Sequence, residues 1–395
     1  MSVRGLLAAA LALAFSLPEA ARAKDAELSR RIQYGIDAIY RMEFDECERT
    51  FEALLKDFPG LPQAYFGLAT ASWARFEYEE EQSNVGRHAE FERRIGQAIA
   101  KGQDWLKARP DDAEGLVCVS GMYGLRSRLA MMLHKWLRAY LDGTKAVRLT
   151  RRALELDPRL YDVYTGLGMW DYYTDTLPGV IKALGRIVAI RGNAKRGVEQ
   201  LSLAAEKGEH TATAAKLALI ELMQDRAGPF YDPVRGLRMI REVREKFPMN
   251  PLFQYVEIVY LAENRKAEQA QAEAKDFLKG IKEGRKFYHP RYAPRAYVAL
   301  GTAHALTKDW AKAEEAFSEA VAILERQKGH NRWGLWALIR RGQSRDIRGD
   351  RAGASADYRR ALEHLDYWDI HDLAKLHLKR PATEKDLVET HMAPP

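Results

Sequence analysis

The chain has little cysteine and no long hydrophobic run. Only Cys47 and Cys118 occur in 395 residues, too few for a disulfide framework. The apolar run from Leu6 to Leu17 falls short of the roughly 20 apolar residues that a membrane-spanning helix takes. Charge of one sign is also lacking. Lys and Arg total 62 against 55 Asp and Glu, and the two signs are interleaved. Without a compact basic block flanked by stacking aromatics, nucleic acid is set aside as a partner. No Gly-rich phosphate loop, no G-x-S-x-G and no recognisable nucleophile setting appears. The sequence therefore nominates no catalytic residue and no cofactor. Sustained period-two alternation is missing too, which leaves an all-α chain. What is present is a hydrophobic fraction of 47%, enough to bury a core.

The N-terminus reads MSVRGLLAAALALAFSLPEAARA. Arg4 precedes the apolar run, and Ala21 and Ala23 follow it in an A-x-A arrangement. That is the pattern of a cleavable secretory signal. We expect export, to a periplasm, with cleavage after Ala23. Loss of Arg4, Glu19 and Arg22 lowers the net charge from +7 to +6.

The clearest internal signal is RAYVALGTAHALTKDWAKAEEAFSEAVAIL, from Arg295. Two helical patterns meet at a short turn. Small residues at Gly301 and Ala313 let the paired helices approach, and Phe317 fills the gap toward the next pair. The spacing of Tyr297, Leu300, Gly301, Ala313, Phe317 and Ala320 resembles the tetratricopeptide repeat (TPR) family, of an exported bacterial type. Leu338, Gly342, Ala354, Tyr358 and Ala361 repeat it. Tyr34, Gly35, Cys47, Phe51, Leu54 and Pro59 match near the start. Tyr164, Leu167 and Gly168 open a further unit, and Gly236, Ile240, Val243 and Pro248 close another. The resemblance implies a right-handed, TPR-like solenoid of about eight helical hairpins with a period near 34.

Extra residues interrupt that period in repeats two to four, at about 76–92, 127–140 and 175–191. These read as inserted helices. In SRLAMMLHKWLRAY, Leu129, Met132, Leu133, Trp136 and Tyr140 share one face, with Arg128, Lys135 and Arg138 on the other. In TDTLPGVIKALGRIVAI, Val180, Ile181, Leu184, Ile187 and Val188 form the apolar face, opposite Lys182 and Arg186. Such helices can pack on the solenoid, wall a groove, or lie on an anionic membrane surface. Trp136, Arg138, Lys182 and Arg186 are the candidates on them.

The resemblance also implies a protein or peptide partner, bound on a concave surface lined by the first helix of each pair. Mapped here, that surface offers Met169, Tyr172 and Tyr173, then Arg295, then Trp336 and Gln343. A clamp for a C-terminal carboxylate is not supported, because Ile32, Ile36, Val298 and Thr302 stand at the relevant positions. The function expected is an exported scaffold or adaptor. The alternative is a membrane-surface protein whose basic amphipathic helices bind anionic lipid or envelope components.

Three smaller expectations complete the reading. Cys47 and Cys118 fall in different repeats, and solenoid repeats touch mainly their neighbours, so both thiols are expected free and buried. His364, His371 and His377 lack the i, i+3 or i, i+4 spacing of a helical metal pair, so no metal site is expected. The domains expected are a signal peptide at 1–23, a modified array at 24–289, regular repeats with a capping helix at 290–378, and a frayed tail at 379–395.

Overall fold

The computed structural model describes residues 19–79, 85–176, 192–226, 228–327, 331–366 and 368–389. Among them the regular elements are all helical. The chain divides into two compact units, Met1–Ala215 and Lys216–Pro395. The boundary expected near residue 290 thus falls inside the second unit.

The first unit runs α1 (Glu19–Tyr40), α2 (Phe44–Asp57), α3 (Pro62–Ala74), α4 (Val85–Ala108), α5 (Ala113–Met132), α6 (Trp136–Leu156), α7 (Val163–Thr176) and α8 (Ala194–Lys207). Helix α9 (Ala212–Gln224) spans the division. The second unit continues with α10 (Pro233–Lys246), α11 (Pro251–Glu263), α12 (Ala267–Lys282), α13 (Ala293–Leu306), α14 (Trp310–Arg326), α15 (Arg332–Ile347), α16 (Arg351–Leu362), α17 (Ile370–Lys379) and α18 (Glu384–Val388).

In the first unit α1, α3, α5 and α7 pack side by side, each also touching the helix that follows it in sequence or its adjoining turn. In the second unit α11, α13, α15 and α17 form the corresponding layer. Several hairpins close on a glycine facing a ring. A Cβ at Gly301 would fall 2.5 Å from the Phe317 ring, and one at Gly342 would fall 2.6 Å from Tyr358. Both rings are fully buried. The small positions Cys47, Ala313 and Ala354 are sealed as well.

The turns between paired helices are equally regular. Met42, His134, Arg265, Lys308 and Gly349 all have positive φ, between 55° and 89°. The following amide reaches back five residues, as in Lys266 N–H to Leu261 O at 2.9 Å and Asp309 N–H to His304 O at 3.1 Å. This left-handed closure caps the carbonyls of the preceding helix. Only one of the five positions is glycine. Asn or Asp side chains then start many of the helices: Asp350 accepts from Gly353 N–H at 2.9 Å, and Asn250 from Leu252 N–H at 2.9 Å.

Two expectations are corrected. Residues 127–140 are not one inserted helix. The chain reverses at Leu133–Lys135, with His134 at φ 55°. Leu129 therefore ends up buried, while Leu133, Trp136 and Leu137 are exposed. The tail does not fray from residue 379. It forms α18, whose Leu387 is fully buried, because its polar backbone finds partners far back in the chain.

Candidate functional site

In the first unit, α7 carries the aromatic run Trp170, Asp171, Tyr172 and Tyr173. Its backbone approaches α8 closely at Gly168 and Gly197. Asp171 is buried and holds Arg196 bidentately, at 2.6 Å to each oxygen. This geometry is the strong form of the guanidinium–carboxylate pair. Tyr172 is buried beside Tyr173, ring centroids 5.5 Å apart. Tyr173 and Met169 are half-buried. Of the aromatic candidates on α7, Tyr173 thus reaches solvent more than Tyr172.

Leu133 in the turn between α5 and α6, and Trp136, Leu137 and Leu141 at the start of α6, are exposed. His134, Lys135 and Arg138 are exposed as well. Trp136 and Arg138 are both exposed, on opposite sides of α6. Lys182 and Arg186 lie outside the described residues.

In the second unit, Arg295 on α13 is buried against the faces of Tyr255, Tyr292 and Trp333, at 5.4, 5.2 and 5.0 Å. Cation–π attraction compensates part of its lost hydration. Trp336 and Gln343 on α15 are buried too. Gln343 Nε2 donates to His377 Nε2 at 3.1 Å, and its oxygen accepts from Arg340 at 3.1 Å. These three candidates form the floor of the α13–α15 layer rather than its rim.

Against that layer lies α18, touching both α13 and α15. Thr383 and Asp386 close a capping box at its start. Ala382 N–H donates to Asp346 at 2.8 Å, and Lys308 meets Glu384 at 2.8 Å. At its end, three guanidinium groups donate to three successive carbonyls. Arg340 bonds Leu387 O. Arg265 bonds Val388 O at 3.2 Å, and Arg226 bonds Glu389 O at 2.7 Å. A helix C-terminus carries partial negative charge on such carbonyls, so cations suit it. Glu263 aims Arg226 through a 2.6 Å bond. Arg340 is nearly fully buried, and that desolvation lowers its pKa to about 9.

Sequence reading missed this constellation. Arg226, Arg265 and Lys308 lie in turns, and the one local signal is that Arg265 and Lys308 stand at left-handed turn positions that ordinarily favour glycine.

Comparison with known proteins agrees with this architecture in its C-terminal part. Residues 292–366 match the family model described as tetratricopeptide repeat. Three solved structures are similar to the chain. The P58(IPK) TPR domain is 15% identical, with 92% of this chain and 98% of that one covered and a TM-score of 0.24. The APC/C hetero-tetramer Cut9–Hcn1 is 15% identical, with 89% and 70% covered and a TM-score of 0.32. Yeast Tom70 is 12% identical, with 87% and 86% covered and a TM-score of 0.27. No curated protein matches the chain.

Proposed function

We propose that this chain, which carries tetratricopeptide repeats over residues 292–366, is an exported scaffold that binds a segment of a partner protein. Such repeats generally serve as protein–protein interaction scaffolds. One observation carries the reading here. The α13–α15 face of the second unit holds a short segment, its own α18, by main-chain carbonyls, with Leu387 sealed in the core and Val388 packed against it. Main-chain bonds combined with a few apolar anchors are a common way to hold a short segment. The mechanism is passive binding, and we assign it no reaction. Tyr173 and Met169 supply a second contact area in the first unit.

The exposed Leu133, Trp136, Leu137 and Leu141, with Lys135 exposed next to Trp136 in the turn, support a second reading. In it, the protein lies on an anionic membrane surface, with the indole at the headgroup level. No helix among the described residues is long and apolar enough to cross a membrane.

One experiment separates the two. Photo-crosslinking probes are placed at Tyr173 and Leu137, with a control at the exposed Glu268, and adducts are read by mass spectrometry. A discrete protein captured at Tyr173 and not at Glu268 supports the scaffold. Lipid adducts at Leu137 alone favour the membrane reading. Identical products at all three positions sink both.

A further inference from the structure

Helix α6 is the second helix of its pair. It packs on α5 and on α7, both members of the layer of first helices. Its Ala139, Asp142, Gly143, Ala146, Thr150 and Ala153 are buried. These positions share one side of the helix, so the opposite side looks away from that layer. On the outward side stand Leu137, Leu141, Thr144, Arg148 and Arg151, at the alternating spacing of a single helical face. All five are exposed. Trp136 borders this face, and Leu133 precedes it in the turn. The reversal at His134 creates the arrangement, since it parts Leu133 and Trp136 from the buried Leu129.

Two properties of the face are uncommon. First, four of the nine large apolar side chains exposed among the described residues fall between 133 and 141. Leu137 and Leu141 are 72% and 57% exposed. Clusters of this kind mark interaction or membrane sites. Second, the chemistry changes along the axis. The outward positions turn from leucine to arginine, and no free acid balances them. Of the two acids on α6, Asp142 is buried and held by Arg126 at 2.6 Å, and Glu155 is bound by Arg152 at 3.0 Å. Among the described residues, Arg148 and Arg151 have no ion-pair partner. A guanidinium without a carboxylate suits phosphate, whose oxygens it can take two at a time.

A partner helix fits this face poorly. Its anchors would need apolar contacts recurring at i, i+3, i+4 and i+7, and here Thr144 and Arg148 follow Leu141. A bilayer requires no such repeat. Arg148 stands about 10 Å along the axis from Leu141, so an oblique helix can set leucines deeper than arginines. We propose that this face of α6 docks on a bilayer containing anionic phospholipid, N-terminus first. Leu133, Leu137 and Leu141 enter the acyl boundary, Trp136 lies at headgroup level, and Arg148 and Arg151 bind headgroup phosphates. This rests on the membrane reading and names its face, its orientation and its lipid class.

The test is flotation of the processed chain, from Lys24, with two kinds of vesicle. One is phosphatidylcholine alone, and the other an equal mixture of phosphatidylcholine and phosphatidylglycerol. The mixed vesicles should bind at least about tenfold more tightly, and added salt should narrow the difference. Arg148→Gln with Arg151→Gln should erase most of that preference. Lys101→Gln with Lys195→Gln, which removes two exposed charges from α4 and α8, should not. Leu137→Ser with Leu141→Ser should abolish binding to both vesicles. All six side chains are exposed, and helical circular dichroism checks that each variant folds. Should the leucine pair lose helicity, the arginine pair still decides. Equal losses in the arginine and lysine pairs would mean that net charge alone attracts the chain, and would overturn the proposal. So would a dimer that the leucine pair dissociates, which assigns the face to a second copy of this chain. If lipid adducts form at Leu137 while the arginine pair has no effect, the membrane reading stands and this one falls. If neither vesicle binds and no lipid is captured, both fall.

Discussion

At the scale of single residues, the array depends on small side chains facing large rings. Gly301 and Gly342 meet Phe317 and Tyr358 at distances where no Cβ fits without displacement. The rings are fully buried and have nowhere to retreat. Gly301→Ala should therefore destabilise the protein by about 1–3 kcal/mol, the usual cost of overpacking. Helix propensity opposes the loss, since Ala is favoured over Gly within a helix by about 1 kcal/mol. The net sign decides the matter. A urea midpoint at or above wild type would mean that Phe317 can move aside. This pairing was legible in the sequence, because Gly and Phe recur at fixed offsets in several hairpins. The turns were not. His134, Arg265 and Lys308 adopt left-handed backbone without being glycine. A periodicity argument therefore ran straight through His134 and fused two helices into one.

At the scale of elements, α17 links the last hairpin to α18. His377 lies at its buried face, with Nε2 accepting from Gln343 and Nδ1 without a hydrogen-bond partner. Tyr358 packs 5.4 Å from its ring. Burial lowers its pKa below the ordinary histidine value of 6.5. The nearby Asp386 and Asp346 oppose that shift, while Arg380 and Arg340 reinforce it. With the folded pKa lowered, the neutral ring is the form the fold prefers. Its contribution is complete above pH 6.5 and is lost as pH falls below that value toward the folded pKa. Amides of α17 should thus lose protection from hydrogen exchange between pH 7 and pH 5, after correction for intrinsic rates. His377→Gln should remove that pH dependence. Unchanged protection across the range would show that the ring takes its proton without loosening the helix. The sequence led us to expect a capping helix in the region of α17. It could not reveal α18, whose few apolar residues leave no helical stripe and whose partners lie from 36 to 163 residues upstream.

At the scale of the whole molecule, compartment and architecture bear on the same two side chains. Cys47 sits in α2 and Cys118 in α5, and both are free and buried. Desolvation pushes the Cys47 thiol up to about 12 and raises Cys118 as well. Thiolate is the species that attacks disulfides, so neither group can exchange while folded. Repeat packing also places them in separate hairpins, where no single bridge can join them. A chain exported to an oxidising compartment should nevertheless retain both thiols. Alkylation in denaturant without reductant, followed by intact mass, tests this together with export. The expected species begins at Lys24 and carries two alkyl groups. A chain that starts at Met1 would remove the export proposal while leaving the repeat argument untouched. A species beginning at Lys24 with no alkyl groups would mean that the thiols met before burial, during folding outside the cytoplasm. The solenoid's rule of neighbour contacts would then hold for the native state and not for the path that leads to it.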